Sequence, residues 1–178
     1  MRRLLPFLAL AIAAPLLSGC FGLAAGGIGA AALLVDDRRT TGIYVEDENI
    51  EWKALARINA DFKGSHVNAT SFNRKVLLTG EVSTEETKAA VEKAIRAIPS
   101  VRDVANELAI AGNSSITSRG NDSLITSNVK ARMVGNGKFS PNHVKVVTEA
   151  GAVFLMGLVA PAEGDANAVA LSTARTLT

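Results

Sequence analysis

The sequence predicts an α+β protein built from two tandem copies of one small domain. Each copy runs helix, strand, strand, helix, strand, with both helices on one face of a three-stranded sheet. Three observations carry this. Short segments recur in order at a nearly constant displacement. Apolar residues switch between helical and strand spacing within each copy. An apolar leader ends at the only cysteine of the 178 residues.

The leader comes first. Met1-Arg2-Arg3 precedes a run from Leu4 to Leu17 broken only by Pro6 and Pro15. A basic start, an apolar stretch and small residues at its end make a secretory signal peptide, here residues 1–19. The run falls short of the ~20 residues that span a bilayer. Leu17-Ser18-Gly19-Cys20 resembles the lipobox of bacterial lipoproteins. That resemblance implies cleavage before Cys20, a diacylglycerol on its sulfur and an acyl chain on its new amine. No other cofactor is expected. Two or more chains hold a protein on a membrane, because each buried methylene contributes about 0.8 kcal/mol and a single chain is marginal. The family's sorting rule places Asp after the cysteine of proteins kept in the inner membrane. Phe21 stands there instead, which implies the outer membrane, periplasmic face. Gly22 to Val35 is uncharged and rich in Ala and Gly, too short and too glycine-rich for a second span. Residues 20–46 therefore read as anchor, tether and polar linker.

Lys and Arg number 19 and Asp and Glu 17; Arg2 and Arg3 leave with the leader, so the mature chain balances. A neutral, exported chain argues against nucleic acid as a partner. With its one cysteine used as anchor, the mature chain forms no internal disulfide, and with aromatics at 4% its cores are aliphatic.

His66-Val67-Asn68-Ala69 recurs as His143-Val144-Lys145-Val146, and Val76–Val82 recurs as Val153–Val159, both displaced by 77 residues. Ala56-Arg57-Ile58 recurs as Ala131-Arg132-Met133, displaced by 75. Three matches in order mark two copies of one domain, 47–112 and 122–178, joined by a linker at 113–121.

In the first copy Trp52, Leu55, Ile58 and Phe62 fall at helical spacing and predict one apolar face. Val67–Phe72 and Val76–Val82 predict strands joined by a hairpin at Asn73-Arg74-Lys75. Ser83-Thr84-Glu85-Glu86 has the spacing of a capping box. The helix it opens carries Val91, Ala94, Ile95 and Ile98 on one face, and Pro99 stops it. Val104, Asn106, Leu108 and Ile110 alternate as the third strand. Gly80 and Gly157 occupy the same point of the repeat, where a strand hands over to its helix, and read as structural glycines that leave no room for a Cβ.

The second copy starts near Asp122, with Ile125, Val129 and Met133 as its stripe. Val144–Thr148 and Val153–Val159 predict strands turned at Glu149-Ala150-Gly151, and Pro161 opens a second helix. No counterpart of Val101–Ile110 follows, so the second copy is expected to lack its last strand and to leave an edge unpaired.

The lipobox, the segment Asp37-Arg38-Arg39-Thr40-Thr41-Gly42 and the tandem units together resemble the dual-BON-domain outer-membrane lipoproteins of the DolP/YraP kind. Leu78-Thr79-Gly80-Glu81-Val82, Met156-Gly157-Leu158-Val159 and Val101–Leu108 match that family's motifs. The resemblance implies a non-enzymatic protein that supports envelope integrity and binds anionic phospholipid through its second domain. Carried onto this sequence, it assigns Leu124 and Ile125 to the headgroup region and Lys130, Arg132 and Lys138 to lipid phosphates; family members often carry an aromatic near Leu124. The alternative partner is an outer-membrane assembly factor or a periplasmic protease, docked on the tethered pair or by strand addition at the open edge. Catalysis has no support: the sequence holds no Gly-x-Ser-x-Gly elbow, P-loop or dinucleotide fingerprint. Nor does it show a metal-type histidine cluster. His66 and His143 sit at equivalent points of the repeat, which reads as a shared structural role.

Overall fold

The computed structural model describes residues 37–112, 114–136 and 141–160. The expectations on Cys20, the tether, Lys138 and the stretch after Ala160, including the missing last strand, fall outside these residues.

Helix α1 spans Thr41–Asp61. Thr40 caps it, its hydroxyl accepting from the Ile43 amide at 3.3 Å, one of the free N–H groups of a first turn. Residues 37–46, the polar end of the segment read as tether and linker, therefore pack as part of the first copy. Arg39 explains why. Its guanidinium pairs with Asp37 at 2.6 Å and Asp47 at 2.9 Å, and lies 4.2 Å from the centre of the Phe72 ring, a cation–π contact that fixes the helix start to the sheet. The buried stripe of α1 is Asp47, Ile50, Ala54 and Ile58. This corrects the expected apolar face: Trp52 is 69% and Leu55 47% exposed. Two apolar stripes share the helix sequence, and the sheet selects the one whose small Ala54 permits close approach.

Strands β1 (His66–Phe72) and β2 (Lys75–Val82) pair antiparallel, with Phe72 opposite Lys75. Asn73 and Arg74 form a two-residue turn, both with positive φ (52° and 64°), as the twist of a tight hairpin requires. Helix α2 spans Glu85–Arg96 and is capped by Thr84, whose hydroxyl accepts from the Thr87 amide. The capping box expected one residue earlier, with Ser83 and Glu86, is not formed. Val91 and Ile95 face the core, while Glu85 and Glu86 at one end and Lys93 and Arg96 at the other complement the helix dipole.

The helix returns the chain to the far side of β2, where strands β3 (Asp103–Asn106) and β4 (Ala109–Ile110) both pair parallel with it. The expected single strand is thus split at Glu107-Leu108. Asn106 makes the break: its side-chain oxygen accepts from the Leu108 amide, and its Nδ2 donates to Glu92 and to the Lys88 carbonyl of α2. Leu108 drops into the core beside Val82, Ile95 and Val104.

In the second copy, helix α3 spans Ile116–Asn136, beginning six residues before the expected start at Asp122. A short 3-10 turn, Pro141–His143, leads into β5 (Val144–Glu149) and β6 (Ala152–Gly157), which pair antiparallel. Strand β6 ends at Gly157 rather than reaching Val159. Val129, Met133, Val144 and Val146 form the core here, with Ile125, Val153 and Leu155 packed against it.

The two hairpins turn on matching aspartates. Asp47 accepts from the amides of Asn73 and Arg74, both at 2.7 Å. Asp122 accepts from those of Ala150 and Gly151, at 3.0 and 2.8 Å. Each carboxylate is buried on its helix and satisfies the turn that its own sheet presents.

Candidate functional site

Helix α3 decides what becomes of the expected lipid-contacting residues. Its core side is set by Val129 and Met133. Leu124 points away from it and is 66% exposed. Ile125 lies about 100° around the helix from Leu124 and packs against the core, so the expected apolar pair does not form one surface. Lys130 is exposed and Arg132 half-buried. Being two positions apart they lie about 200° apart and cannot serve one plane. Val134, also 66% exposed, lies one turn beyond Lys130 and about 40° around the helix from it, and about 80° from Leu124. The structure therefore puts Lys130 and Val134 together on one side of α3, with Leu124 about 80° from Val134 and about 120° from Lys130, and Ile125 and Arg132 on the other side of Leu124. Val134 has a sequence signal: it is an apolar residue off the helical stripe of Val129 and Met133. No helix among the described residues is long and apolar enough to cross a membrane.

The second constellation is absent from any linear motif. Alternate residues of β2 serve two faces. Val76, Leu78 and Val82 meet the helices, whereas Leu77, Thr79 and Glu81 are buried on the opposite face. That face is covered by the second hairpin. Glu149 of β5 accepts from Asn68 Nδ2 at 2.9 Å and Thr79 Oγ1 at 3.2 Å. Lys145 donates to Glu51 at 2.6 Å, and Arg38 donates to the Leu158 carbonyl. His66 stands at the centre of the seam. Its Nδ1 is 2.9 Å from Glu81 Oε2 and 3.8 Å from Glu149 Oε1. Glu81 also accepts from the Ser114 amide at 3.1 Å.

Burial pushes the Glu81 carboxyl up, but the Ser114 amide and the His66 ring outweigh it and hold the pKa below the ordinary value of 4.5. A carboxylate with a lowered folded pKa stabilises the fold above its unfolded value, and this is lost as the pH falls through the folded one. Glu81→Gln is therefore expected to be less stable than the parent at neutral pH, with the difference closing below 4.5. Urea unfolding on both sides of that pH checks it; a difference that does not change would remove Glu81 from the acid response.

The two repeat glycines meet the two histidine carbonyls. At Gly80 (φ +112°) an added Cβ would overlap the His66 carbonyl oxygen, and at Gly157 it would lie 2.7 Å from that of His143. Their role is close backbone approach, with no ligand contact required.

Comparison with known proteins matches this architecture. The BON domain profile fits residues 46–112 and again 121–174. The Haemophilus influenzae protein named outer membrane lipoprotein DolP is 34% identical over 155 residues, covering 85% of this chain and 80% of that one. A 21 kDa hemolysin of Actinobacillus pleuropneumoniae is 30% identical over 135 residues, covering 74% of this chain and 70% of that one. Two domain matches over the two structural repeats, and a lipoprotein relative spanning most of both chains, place this protein in the BON-domain family, among the non-enzymatic outer-membrane lipoproteins of the DolP kind.

Proposed function

We propose that the protein is held on the periplasmic face of the outer membrane by acyl chains on Cys20, that its second BON domain binds anionic phospholipid, and that it thereby supports envelope integrity. The observation that carries the lipid reading is the outward side of α3: Val134 is two-thirds exposed one turn beyond the exposed Lys130, and Leu124, also two-thirds exposed, stands about 80° around the helix from Val134. Two large aliphatic side chains this open to water contribute nothing to the domain's own core. Burying such a side chain contributes about 1.5–3 kcal/mol, and a basic residue near an anionic surface about 1 kcal/mol. Alone this gives weak binding. An anchor that keeps the domain near the bilayer makes the contact intramolecular, so weak binding suffices.

A polypeptide of residues 36–178, lacking the anchor, tests this side of α3. It should co-sediment with vesicles containing phosphatidylglycerol, less so as salt rises, and poorly with neutral vesicles. Lys130→Glu should weaken binding by more than about tenfold, since a favourable charge becomes an unfavourable one. Leu124→Glu and Val134→Glu should act similarly, while Arg132→Glu should have a smaller effect. Equal binding to both vesicle types sinks the anionic-lipid reading. For the anchor, mass spectrometry of the mature protein should find Cys20 acylated; an unmodified thiol would rule it out.

A protein-docking role is the second reading, favoured by one observation. Exposed Trp52 and Leu55 line a groove of about 460 Å³ beside β1 and β5, edged by Glu48 and Glu51. Trp is enriched where few residues carry most of a binding energy. An assembly factor or protease docked there would be lost on Trp52→Ala while vesicle binding stayed unchanged.

A further inference from the structure

We propose that His66, Glu81 and Glu149 form a zinc site that ties the second BON domain to the first. The three side chains converge: one ligand atom from each lies within 4.8 Å of the others. His66 Nδ1 to Glu81 Oε2 is 2.9 Å and to Glu149 Oε1 is 3.8 Å, which brackets the ~3.4 Å between ligands bound tetrahedrally at ~2.0–2.2 Å. Glu81 and Glu149 are both buried, and the donors that reach them, besides His66, are neutral: the Ser114 amide, Asn68 Nδ2 and Thr79 Oγ1. Two buried carboxylates so close together attract a cation, and a divalent ion would neutralise them together.

The surroundings fit a metal as well as the three ligands do. Metal-binding carboxylates are themselves held by hydrogen bonds that aim them. Asn68 and Thr79 both hold Oε2 of Glu149, leaving Oε1 turned toward His66, and the Ser114 amide holds Glu81. A cavity of about 290 Å³, bordered by His66, Asn68, Arg119 and Glu149, opens onto the cluster and supplies both an entry path and room for a water as fourth ligand. Arg119 forms no ion pair with either glutamate among the described residues; its guanidinium donates to Ser114 Oγ and the Ser114 carbonyl. An imidazole with two carboxylates suits zinc; calcium and magnesium take six or more oxygens. Binding takes the lone pair of Nδ1, so the hydrogen bond between Nδ1 and Glu81 is exchanged for bonds from both groups to the ion, and the proton of that hydrogen bond is released to solvent. Domain one supplies His66 and Glu81 and domain two Glu149, so the ion would set how firmly the two are joined.

The test is calorimetric titration of the purified, metal-stripped full-length protein with zinc chloride, alongside calcium chloride. One equivalent of zinc is expected to bind, calcium none, with a rise in unfolding temperature. His66→Ala and Glu149→Gln should each weaken zinc by about tenfold or more and remove the thermal shift. Glu149→Gln keeps the side-chain shape, so it decides the matter even where His66→Ala misfolds. Absence of zinc uptake, or uptake and thermal shift unchanged in Glu149→Gln, overturns the site.

Discussion

Gly80→Ala is expected to destabilise the first domain by about 3–4 kcal/mol, lowering its unfolding temperature by on the order of 15 °C. Two costs coincide. At φ +112° the backbone occupies a region that L side chains rarely adopt. The new methyl would also overlap the carbonyl oxygen of His66, which is backbone and cannot rotate aside. Since Val67 pairs with Gly80, relief would separate β1 from β2 near Leu78, whose side chain is fully buried. Two comparisons separate the causes. Gly157→Ala meets a carbonyl at 2.7 Å without a positive φ, and should cost about 1–2 kcal/mol. Gly64→Ala has φ +89° but open space around it, and should cost about 1–2 kcal/mol for conformation alone. Thermal melts of the three variants check the ranking. A Gly80→Ala loss no greater than that of Gly64→Ala would show that the close approach is not limiting.

Asp47→Ala should cost about 3–5 kcal/mol, more than any exposed charge substitution. The carboxylate accepts from Ser71 Oγ and the amides of Asn73 and Arg74, each at 2.7 Å, and pairs with Arg39 at 2.9 Å. Alanine would leave two turn amides without acceptors and Arg39 with only Asp37. Asp122 holds its turn through two amides, with no arginine among its bonds, so Asp122→Ala should cost about half as much. Chemical denaturation measures both. If Asp122→Ala proved the costlier, the arginine clamp would not be the source of the difference.

That clamp shows where reading the chain linearly stops. Asp37-Arg38-Arg39-Thr40 has the composition of a linker, and nothing local says otherwise; only Asp47 and the Phe72 ring make Arg39 a fixed part of the fold. Trp52 and Leu55 fell on a plausible stripe because helical spacing fits more than one face, and the choice between faces belongs to the sheet. Lys130 and Arg132 looked like one basic cluster because sequence proximity hides a half-turn around the helix.

By itself the sequence determined the repeat, the order helix, strand, strand that opens both copies, both hairpin turns and the cores built from Val91, Ile95, Val129 and Met133. These follow from interactions within a few residues, or from periodicities that any packing partner would read alike. The equivalence of Gly80 and Gly157 was legible for the same reason. The tertiary structure alone decided which side of α3 faces outward, that the second face of β2 is covered, and that Glu81 and Glu149 meet at His66. Those two glutamates are 68 residues apart in the chain. Their approach depends on how one folded hairpin packs against another, and no local propensity encodes that.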